Sequence, residues 1–457
     1  MTNKYKPYAE TLDSGVDWIG HIPTSWKIVP LKAIADIDNG GCYGAEPEDG
    51  AYLYPVATTA QIDSSGHFWV DNMSIRSFTT SEVVRYLCRE GDILVVKSSG
   101  SSTNIISGKA GIVTSTTPKF IFSNFLMRVS PKQNLVDSKF VYALLISHLT
   151  KERIKQMVST TTYPNLQVGE YCSAKLPLPP LPEQQAIAAF LDYETARIDK
   201  LIAKQQQLIE LLKEKRQAVI SHAVTKGLNP NALMKDSGVE WLGEVPEHWV
   251  VKKLKHVAKI IDCKNRTPEY VDDGDYLVVR TTNVKNQSLV LDGALYTNNQ
   301  NFKIWTERGV PPIGSILFTR EAPTGEVCLV PKNTKLCMGQ RMMNFIAFHY
   351  EYTSFLFDYL TSDCLGRYIS SEASGSTVSH LRVEQVYNIP VVVPPMNEQA
   401  EIDILVGNIK KSFSALIDKS LSTILLLQER RTALISAAVT GKIDLRGWKP
   451  PQDEVAA

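Results

Sequence analysis

Two long stretches of the chain repeat apolar residues at alternating steps of three and four. In the first stretch the apolar positions are Ile187, Leu191, Ile198, Leu201, Leu208, Leu212 and Val219. A second series lies 215 residues further along, from 187 to 402, at Ile402, Val406, Phe413, Leu416, Leu427 and Leu434. This heptad pattern predicts two long helices, each with an apolar seam that packs against a partner helix.

Each predicted helix begins after a pair of prolines and ends at a glycine. The prolines are Pro179-Pro180 and Pro394-Pro395, and the glycines are Gly227 and Gly441. Proline disfavours helix at the residue before it, and glycine is common just after a last helical turn. Each helix is then about 43 residues, or about 65 Å at 1.5 Å per residue. Because the two match in length and period, and the second follows a compact region, we expect an antiparallel coiled coil.

The rest of the chain carries short apolar runs separated by Gly, Pro, Asn and Ser, a pattern typical of strands and turns. The strand-like runs are Asp92–Val96, Ala110–Val113, Tyr276–Val279 and Ser315–Phe318. Helical patterns follow at Ser138–Gln156 and Tyr352–Tyr368. The regions of roughly 14–176 and 237–391 are therefore predicted to be globular and mixed α/β.

The two halves of the chain open and close with the same sequences. Asp13–Gly20 returns as Asp236–Gly243, and the segment 179–184 returns as 394–399. The ends of the two predicted helices, 214–225 and 429–440, also match. The middles differ, so the chain is predicted to be a pseudo-twofold tandem repeat with a common frame and different contents. A duplication whose halves share one function is the alternative.

These patterns predict an α+β fold in which two globular mixed α/β domains are separated by two long helices. We expect the boundaries to be 1–176 for the first globular domain, 177–235 for the first helix, 236–391 for the second domain, 392–445 for the second helix and 446–457 for a polar tail.

Composition narrows the classes of function. The net charge is +1 and no stretch approaches the roughly 18 apolar residues of a membrane helix. No apolar core follows the first lysines, as a signal peptide requires. Seven scattered cysteines form no C-x-x-C pair, which favours a reducing cytoplasm over a disulfide or zinc framework. Phosphate-binding, dinucleotide-binding, adenine-methyltransferase and metal-ligand motifs are not found, so we expect no catalytic site and no cofactor in this chain.

Two corresponding loops are candidates for nucleic-acid contact. Lys97 and Arg320 each follow an apolar strand-like run and precede a small polar loop. The loop residues are Ser98, Ser99, Ser101, Ser102, Thr103 and Asn104 in the first half and Thr324 in the second. Hydroxyl groups and backbone N–H groups suit phosphates or base edges, and arginine can bind guanine with two hydrogen bonds. Ordinary solvated loops are the alternative.

Three further segments join the candidates. Gly339 precedes Gln340 and Arg341, which offer amide and guanidinium donors. Two polar tracts correspond to each other: Thr160, Thr161, Thr162 and Tyr163 in the first half, and Ser374, Ser376 and Thr377 in the second. Solvated turns or helix caps would use the same residue types. The repeated Trp18, Trp26, Trp241 and Trp249 belong to the common frame, so we expect a structural role for them.

The repeated Trp-Ile/Leu-Gly-x-x-Pro-x-x-Trp opening, the 176–185 segment and the matching helix ends resemble the specificity subunit of type I restriction–modification enzymes. The runs 316–325 and 339–341 are similar to that family as well. In the first half, Lys97-Ser98-Ser99 and Ser123-Asn124 depart from the corresponding runs. The resemblance covers nearly the whole chain.

The resemblance implies that each globular domain is a target recognition domain for one half of a split double-stranded DNA site. It also implies that the helices fix the spacing of the half-sites. Two methyltransferase subunits and the restriction/translocase subunits would be the partners. They would supply S-adenosylmethionine, ATP and Mg²⁺ chemistry. Two alternatives stay open: a divergent methyltransferase or nuclease, and a coiled-coil adaptor that does not contact DNA.

Overall fold

The computed structural model describes residues 5–62, 68–98, 100–101, 104–115, 117–147, 152–153, 156–159, 165–264, 266, 269–372 and 380–451. The chain divides into two compact units, one formed by Met1–Gln205 with Ser422–Ala457 and the other by Gln206–Leu421. Each unit contains a globular region and a part of each long helix. The five-part division proposed from the sequence follows the helices instead and stays a prediction.

The first unit contains fifteen described strands. They are β1 (Thr11–Asp13), β2 (His21–Pro23), β3 (Lys27–Pro30), β4 (Ala35–Asp38), β5 (Tyr52–Ala57), β6 (Ser74–Phe78), β7 (Ile93–Val96), β8 (Gly100–Ser101), β9 (Asn104–Ile105), β10 (Ala110–Ile112), β11 (Ile121–Phe122), β12 (Leu126–Pro131), β13 (Val158–Ser159), β14 (Asn165–Leu166) and β15 (Lys175–Leu178). Its helices are α1 (Leu31–Ile34), α2 (Thr80–Tyr86), α3 (Ser138–Ile146), α4 (Val168–Cys172) and the first part of α5 (Leu181–Lys226).

The two largest sheets of the first unit have four and three strands. The four-stranded sheet has the order β10-β7-β12-β4 and is antiparallel throughout, and the three-stranded sheet has the order β11-β5-β6. The central strand β7 is fully buried over Ile93–Val96, because side chains on both of its faces enter apolar cores.

The second unit repeats this arrangement. Its strands are β16 (Met234–Asp236), β17 (Glu244–Pro246), β18 (Val250–Lys253), β19 (Ala258–Asp262), β20 (Tyr276–Val279), β21 (Val284–Lys285), β22 (Ser288–Leu289), β23 (Leu295–Thr297), β24 (Ile316–Thr319), β25 (Val327–Leu329), β26 (Leu336–Met338), β27 (Met342–Ala347) and β28 (Pro390–Val393). Its helices are α6 (Asn299–Trp305), α7 (Tyr352–Leu360), α8 (Asp363–Glu372), α9 (Val383–Tyr387) and the first part of α10 (Met396–Val439).

The sheets of the second unit have the same strand order as those of the first. The four-stranded sheet is β19-β27-β24-β25 and the three-stranded sheet is β23-β20-β26. In both units the three-stranded sheet contains one parallel pair, β5 with β11 and β20 with β26. The sequence repeat is therefore a repeat of topology.

Two helical predictions need correction. The helix predicted over Ser138–Gln156 is interrupted: α3 ends at Ile146, where Ser147 adopts an extended conformation, and the described residues 152–153 and 156 are helical again. The helix predicted over Tyr352–Tyr368 consists of α7 and α8, which are separated at Thr361-Ser362. At this break the Ser362 hydroxyl donates to the Tyr359 carbonyl (2.6 Å) and accepts from the Cys364 amide (3.3 Å). These side-chain hydrogen bonds replace the helical ones.

The long helices pack antiparallel within each unit. In the first unit, Ile187 and Leu191 near the start of α5 share a core with Leu434 and Ala438 near the end of α10. In the second unit, Ile220 and Val224 near the end of α5 share a core with residues near the start of α10, Ile402 and Val406. The predicted fold class, with two mixed α/β regions and an antiparallel helix pair, is confirmed.

The buried seam of α5 shifts by one residue from the prediction in the middle of the helix. Leu201 and Leu208 are 41% and 42% exposed, whereas Ile209 is only 6% exposed. In α10 the predicted seam position Leu416 is exposed and its neighbour Ile417 is half-buried, whereas Ser420, a polar position of the predicted seam, is buried as expected. Several apolar residues are adjacent here, so the sequence allows two seams and packing selects one.

A Glu-Gln pair lies at the start of each long helix; Glu183, Gln184 and Gln399 are buried, and Glu398 is partly exposed. Gln184 donates to the Pro179 carbonyl (2.8 Å), and Gln399 donates to the Pro394 carbonyl (2.7 Å). Glu183 accepts from the Trp26 indole (3.1 Å). The equivalent bond in the second unit joins the Trp249 indole to a carboxylate on the first turn of α10. Trp26 and Trp249 are buried, so their predicted structural role is confirmed.

Each globular region is closed by a pair of antiparallel strands next to the helix start. β3 pairs with β15 from Lys27–Leu178 to Pro30–Lys175, and β18 pairs with β28 from Val250–Val393 to Lys253–Pro390. These four strands are called the necks below. None of the described helices is long and apolar enough to cross a membrane.

Candidate nucleic-acid interface

In the second unit, three segments selected from the sequence meet at Arg320. This residue follows β24, and its backbone amide donates to the carbonyl of Arg341 at 2.9 Å. Its own carbonyl accepts from the amide of Leu381 at 3.1 Å. The 320–325 loop, the 339–341 turn and the return that follows the 374–377 tract are thus joined by main-chain hydrogen bonds. We call Arg320 the crossing residue of this unit.

The first unit has the same crossing at Lys97. The Lys97 amide donates to the Phe125 carbonyl at 2.9 Å, and the Lys97 carbonyl accepts from the Leu166 amide at 2.9 Å. Phe125 takes the place of Arg341 and is exposed. The correspondence between Lys97 and Arg320 that the sequence indicated is therefore geometric as well.

The Arg320 side chain is largely committed to the protein. It is 15% exposed, its Nη1 donates to the Leu381 carbonyl at 3.4 Å, and its Nε lies 3.9 Å from Asp262 Oδ1. Arg320 Nε and Asp262 Oδ1 are buried without a hydrogen-bond partner. The arginine therefore holds the crossing together, and the contact with DNA that its charge suggests stays a prediction.

Arg341 is better exposed. Its side chain is 43% exposed and its Nε lies 2.8 Å from Glu321 Oε2. Its φ is +71°, a left-handed conformation that directs the side chain out of the turn between β26 and β27. Gln340 beside it is exposed. Thr324 donates from its hydroxyl to the Arg320 carbonyl at 3.1 Å. Among the described candidates of this unit, Arg341 and Gln340 can reach a ligand with little rearrangement.

Lys97 is half-buried and lies over a glycine. A Cβ atom at Gly40 would lie 3.1 Å from Lys97 Nζ and 3.5 Å from the Asn124 carbonyl oxygen. A residue larger than glycine would therefore displace the ammonium group. Ser98 forms a bridge with Asn165, beside the return that follows the polar tract.

The remaining candidates of the first unit are only partly described. Ser101 and Asn104 pair with each other in the hairpin of β8 and β9. Outside the described residues lie Ser99, Ser102, Thr103, Thr160, Thr161, Thr162 and Tyr163 of the first half and Ser374, Ser376 and Thr377 of the second. Their contact with DNA stays a prediction.

Two acidic residues beside the arginines were missed in the sequence. Asp262 ends β19 and faces Arg320, while Glu321 follows Arg320 directly and pairs with Arg341. The Arg320-Glu321 neighbourhood was visible in the sequence, whereas the approach of Asp262 depends on strand pairing. Burial, and then the neighbouring Asp262 charge, raises the pKa of the Cys263 thiol, so this thiol is neutral at the interface. Among the described residues, no group of three His, Cys, Asp or Glu side chains is arranged to hold a metal ion.

Comparisons with known proteins identify the class. The family model for the type I restriction modification DNA specificity domain matches residues 23–211 and again 246–424. The chain is 23% identical over 445 residues to a putative type I restriction enzyme MjaX specificity subunit of Methanocaldococcus jannaschii, covering 94% of this chain and 96% of that protein. It is 24% identical over 436 residues to the MjaVIII specificity subunit of the same organism, covering 93% and 94%.

The fold has a solved counterpart. A chain from work on complex assembly and conformational transition of the type I R-M system is similar with a TM-score of 0.65 and 16% identity, covering 92% of this chain and 99% of that one. The protein thus belongs to the type I restriction–modification DNA specificity family. It is a specificity subunit, the subunit that confers DNA sequence specificity.

Proposed function

We propose that the chain recognises an asymmetric, bipartite double-stranded DNA target, with one half-site bound by each globular region. The crossing residue carries this proposal. Lys97 and Arg320 make the same two main-chain hydrogen bonds in the two units, yet they and their neighbours differ. A common frame that presents different side chains suits two different half-sites.

The candidate contacts divide by chemistry. Arg341 and Gln340 would read base edges or phosphates in the second half-site, together with Thr324 and the 374–377 tract. In the first half-site, the polar loop 98–104 and the tract 160–163 would contact base edges or phosphates, and Lys97 would supply a positive charge. The long helices would fix the unread spacer, so that the two regions lie about one DNA turn, roughly 34–36 Å, apart.

The chain would act as a cytoplasmic, non-catalytic scaffold. Its two helix starts, with Glu183 and Glu398 in equivalent places, are similar in sequence and in local hydrogen bonding. Two methyltransferase subunits suit such a repeat, and the restriction/translocase subunits would complete the complex. The S-adenosylmethionine, ATP and Mg²⁺ chemistry would belong to these partners.

Methylome sequencing tests the proposal. The chain is co-expressed with the methyltransferase subunits of its own system in a host without that system, and modified adenines are mapped across the host genome. We expect one motif with two unlike halves and a spacer of fixed length, and no such motif when this chain is omitted. Methylation without a bipartite motif, or a motif that persists without the chain, would contradict the proposal.

The two alternatives give different results in the same system. A divergent methyltransferase or nuclease would bind S-adenosylmethionine or cut DNA as the purified chain. A coiled-coil adaptor would assemble with the methyltransferase subunits, but the complex would bind all DNA fragments with equal affinity in a gel-shift titration.

A further inference from the structure

A short β-hairpin beside the candidate interface has a tip made only of polar residues. It is formed by β21 and β22, which pair Val284 with Leu289 and Lys285 with Ser288. The two turn residues, Asn286 and Gln287, have φ values of +50° and +63°. Two consecutive left-handed residues form the tight turn that suits the twist of a hairpin. All four residues of Lys285–Ser288, called the tip below, are exposed.

A buried amide fixes the base of this hairpin. Asn283 is 1% exposed; its Oδ1 accepts from the Arg280 amide at 3.0 Å and its Nδ2 donates to the Val290 carbonyl at 3.0 Å. The Val290 amide in turn donates to the Asn283 carbonyl at 2.7 Å. Because Val284 is also buried in the core, the tip is held on a rigid base.

The tip lies next to the 320–325 loop. The Thr281 hydroxyl, in the turn that leads into the hairpin, donates to the Ala322 carbonyl at 3.1 Å. Asn286 and Gln287 line a surface recess together with Thr324 and Gly325. The hairpin therefore lies beside the loop that directly follows the crossing residue.

The first unit has the same base with a different tip. Gln61 is buried; its Oε1 accepts from the Thr58 amide at 2.8 Å, and its carbonyl accepts from the Trp69 amide at 2.8 Å. Ile62 and Phe68 then form a bridge, as Val284 and Leu289 do in the second unit. The five residues between them, 63–67, lie outside the described residues and read Asp-Ser-Ser-Gly-His, against Lys-Asn-Gln-Ser for the second tip. The base is shared, and the tip differs in length and chemistry.

We propose that the tip Lys285–Ser288 is a specificity-determining element that reads base edges in the half-site bound by the second unit. The inference rests on the proposed function. A side-chain amide offers a donor and an acceptor together, which matches the N6 and N7 edge of adenine, and a lysine can bind guanine or a phosphate. Gln287, at the turn, is the base-reading candidate, and Lys285 adds charge beside it.

The test is methylome sequencing of the complete complex with tip variants. Gln287→Gly and Asn286→Gly remove an amide and keep a residue that tolerates positive φ. Gln287→Asn keeps an amide on a shorter side chain at the same backbone position. Asn333→Gly is the matched control. Asn333 also has a positive φ (62°), but it lies in the loop that runs from the end of β25 to the start of β26, whereas the 320–325 loop beside the tip precedes β25.

We expect the Gln287→Gly motif to become degenerate at one base of one half-site, with about 10- to 100-fold lost discrimination there, as one bidentate contact provides. The other half and the spacer should not change, and Gln287→Asn should alter the preferred base. Asn333→Gly should give the wild-type motif.

The outcomes separate the inference from the proposed function. If the wild-type complex has no two-part motif, the proposed function fails. If the wild type has one and all three tip variants retain it unchanged, the inference is wrong and the proposed function stands. A change in both half-sites would also contradict the inference, because the tip belongs to one unit. Thermal unfolding of each complex identifies a variant that fails to fold, and Lys285→Gln, outside the turn, then provides the remaining test, with a motif relaxed in the same half-site expected.

Discussion

Trp249 Nε1 donates to Glu398 Oε2 at 2.9 Å, and this bond joins the repeated opening segment of the second half to the first turn of α10. The indole is buried, while Glu398 also contacts His248 Nε2 at 2.6 Å. The carboxylate therefore contacts two side chains of one short segment, and the indole of Trp26 donates to Glu183 in the same way in the first unit.

Trp249→Phe should lower the free energy of unfolding by about 1–3 kcal/mol, because it removes a donor from a partly buried carboxylate. Chemical denaturation followed by circular dichroism measures this. Trp241→Phe is the matched control: Trp241 is half-buried and packs at 6.0 Å from the Tyr368 ring, so its cost should be below about 1 kcal/mol. Equal costs for the two variants would contradict the role of the bond.

The position of the helix seam gives a second prediction. Ile209→Ala should destabilise the protein by about 2–4 kcal/mol, since Ile209 is buried, whereas Leu208→Ala should cost less than about 1 kcal/mol. Urea unfolding of the two neighbouring variants measures the difference. A larger cost at Leu208 would support the seam predicted from the sequence instead.

Arg341 and Arg320 should respond differently to replacement. Arg341→Gln should weaken specific DNA binding by the assembled complex by about 1–3 kcal/mol without changing its melting temperature. Arg320→Ala should lower the melting temperature, because it removes the side chain that contacts the Leu381 carbonyl and one of the two arginines beside Asp262, the other being Arg308. Fluorescence anisotropy and calorimetry measure the two effects.

Lys332→Gln is the charge-matched control, because Lys332 is exposed in the loop that precedes β26. It should change neither binding nor stability. Unchanged affinity for Arg341→Gln with intact stability would remove Arg341 from the interface.

Stability should fall above about pH 9. Burial raises the pKa of Cys328 and of Cys337 from 9.0 to about 12 in the folded protein. Unfolded thiols ionise as pH rises past 9.0 while the folded ones stay protonated, so the stability present below pH 9 is lost progressively toward pH 12. The loss should be on the order of 1 kcal/mol per thiol at pH 10. Urea unfolding from pH 7 to 10 measures it, and the Cys328→Ala/Cys337→Ala double variant should depend less on pH.

The role of the helices in spacing can be tested by shortening both. Deleting one heptad from each, Ile209–Lys215 and Ala415–Leu421, removes about 10 Å of helix. We expect the preferred spacer to shorten, by at most about three base pairs at 3.4 Å each, while both half-site sequences persist. Methylome sequencing of the deletion variant measures this, and the same spacer in the variant and the wild type would contradict the proposal.

The sequence was most informative where a signal is local. Prolines and glycines bounded the long helices, and the repeated segments revealed the two-unit topology. It failed at residue level in the middle of α5, where adjacent Leu208 and Ile209 are both apolar and only packing selects the buried one. The sequence placed the candidate loops at the ends of strand-like runs. It did not indicate that Arg320 is buried, because Asp262 comes close to Arg320 only through the pairing of strands in the sheet. The hairpin at Val284–Leu289 was missed because its two-residue strands have no detectable apolar period.

The neck strands hold the start and the end of each globular region next to each other, so each region is attached to the rest of the chain at one place. In the second unit, the chain enters the globular region at Lys253 and leaves it at Pro390, and these two residues are paired across β18 and β28. In the first unit, Pro30 and Lys175 are paired in the same way across β3 and β15. Whatever sequence is inserted between two such strands, the helix that follows begins from the same backbone position. We therefore expect that replacing one globular region as a block between its neck strands would change the DNA sequence recognised by that half and leave the long helix in place.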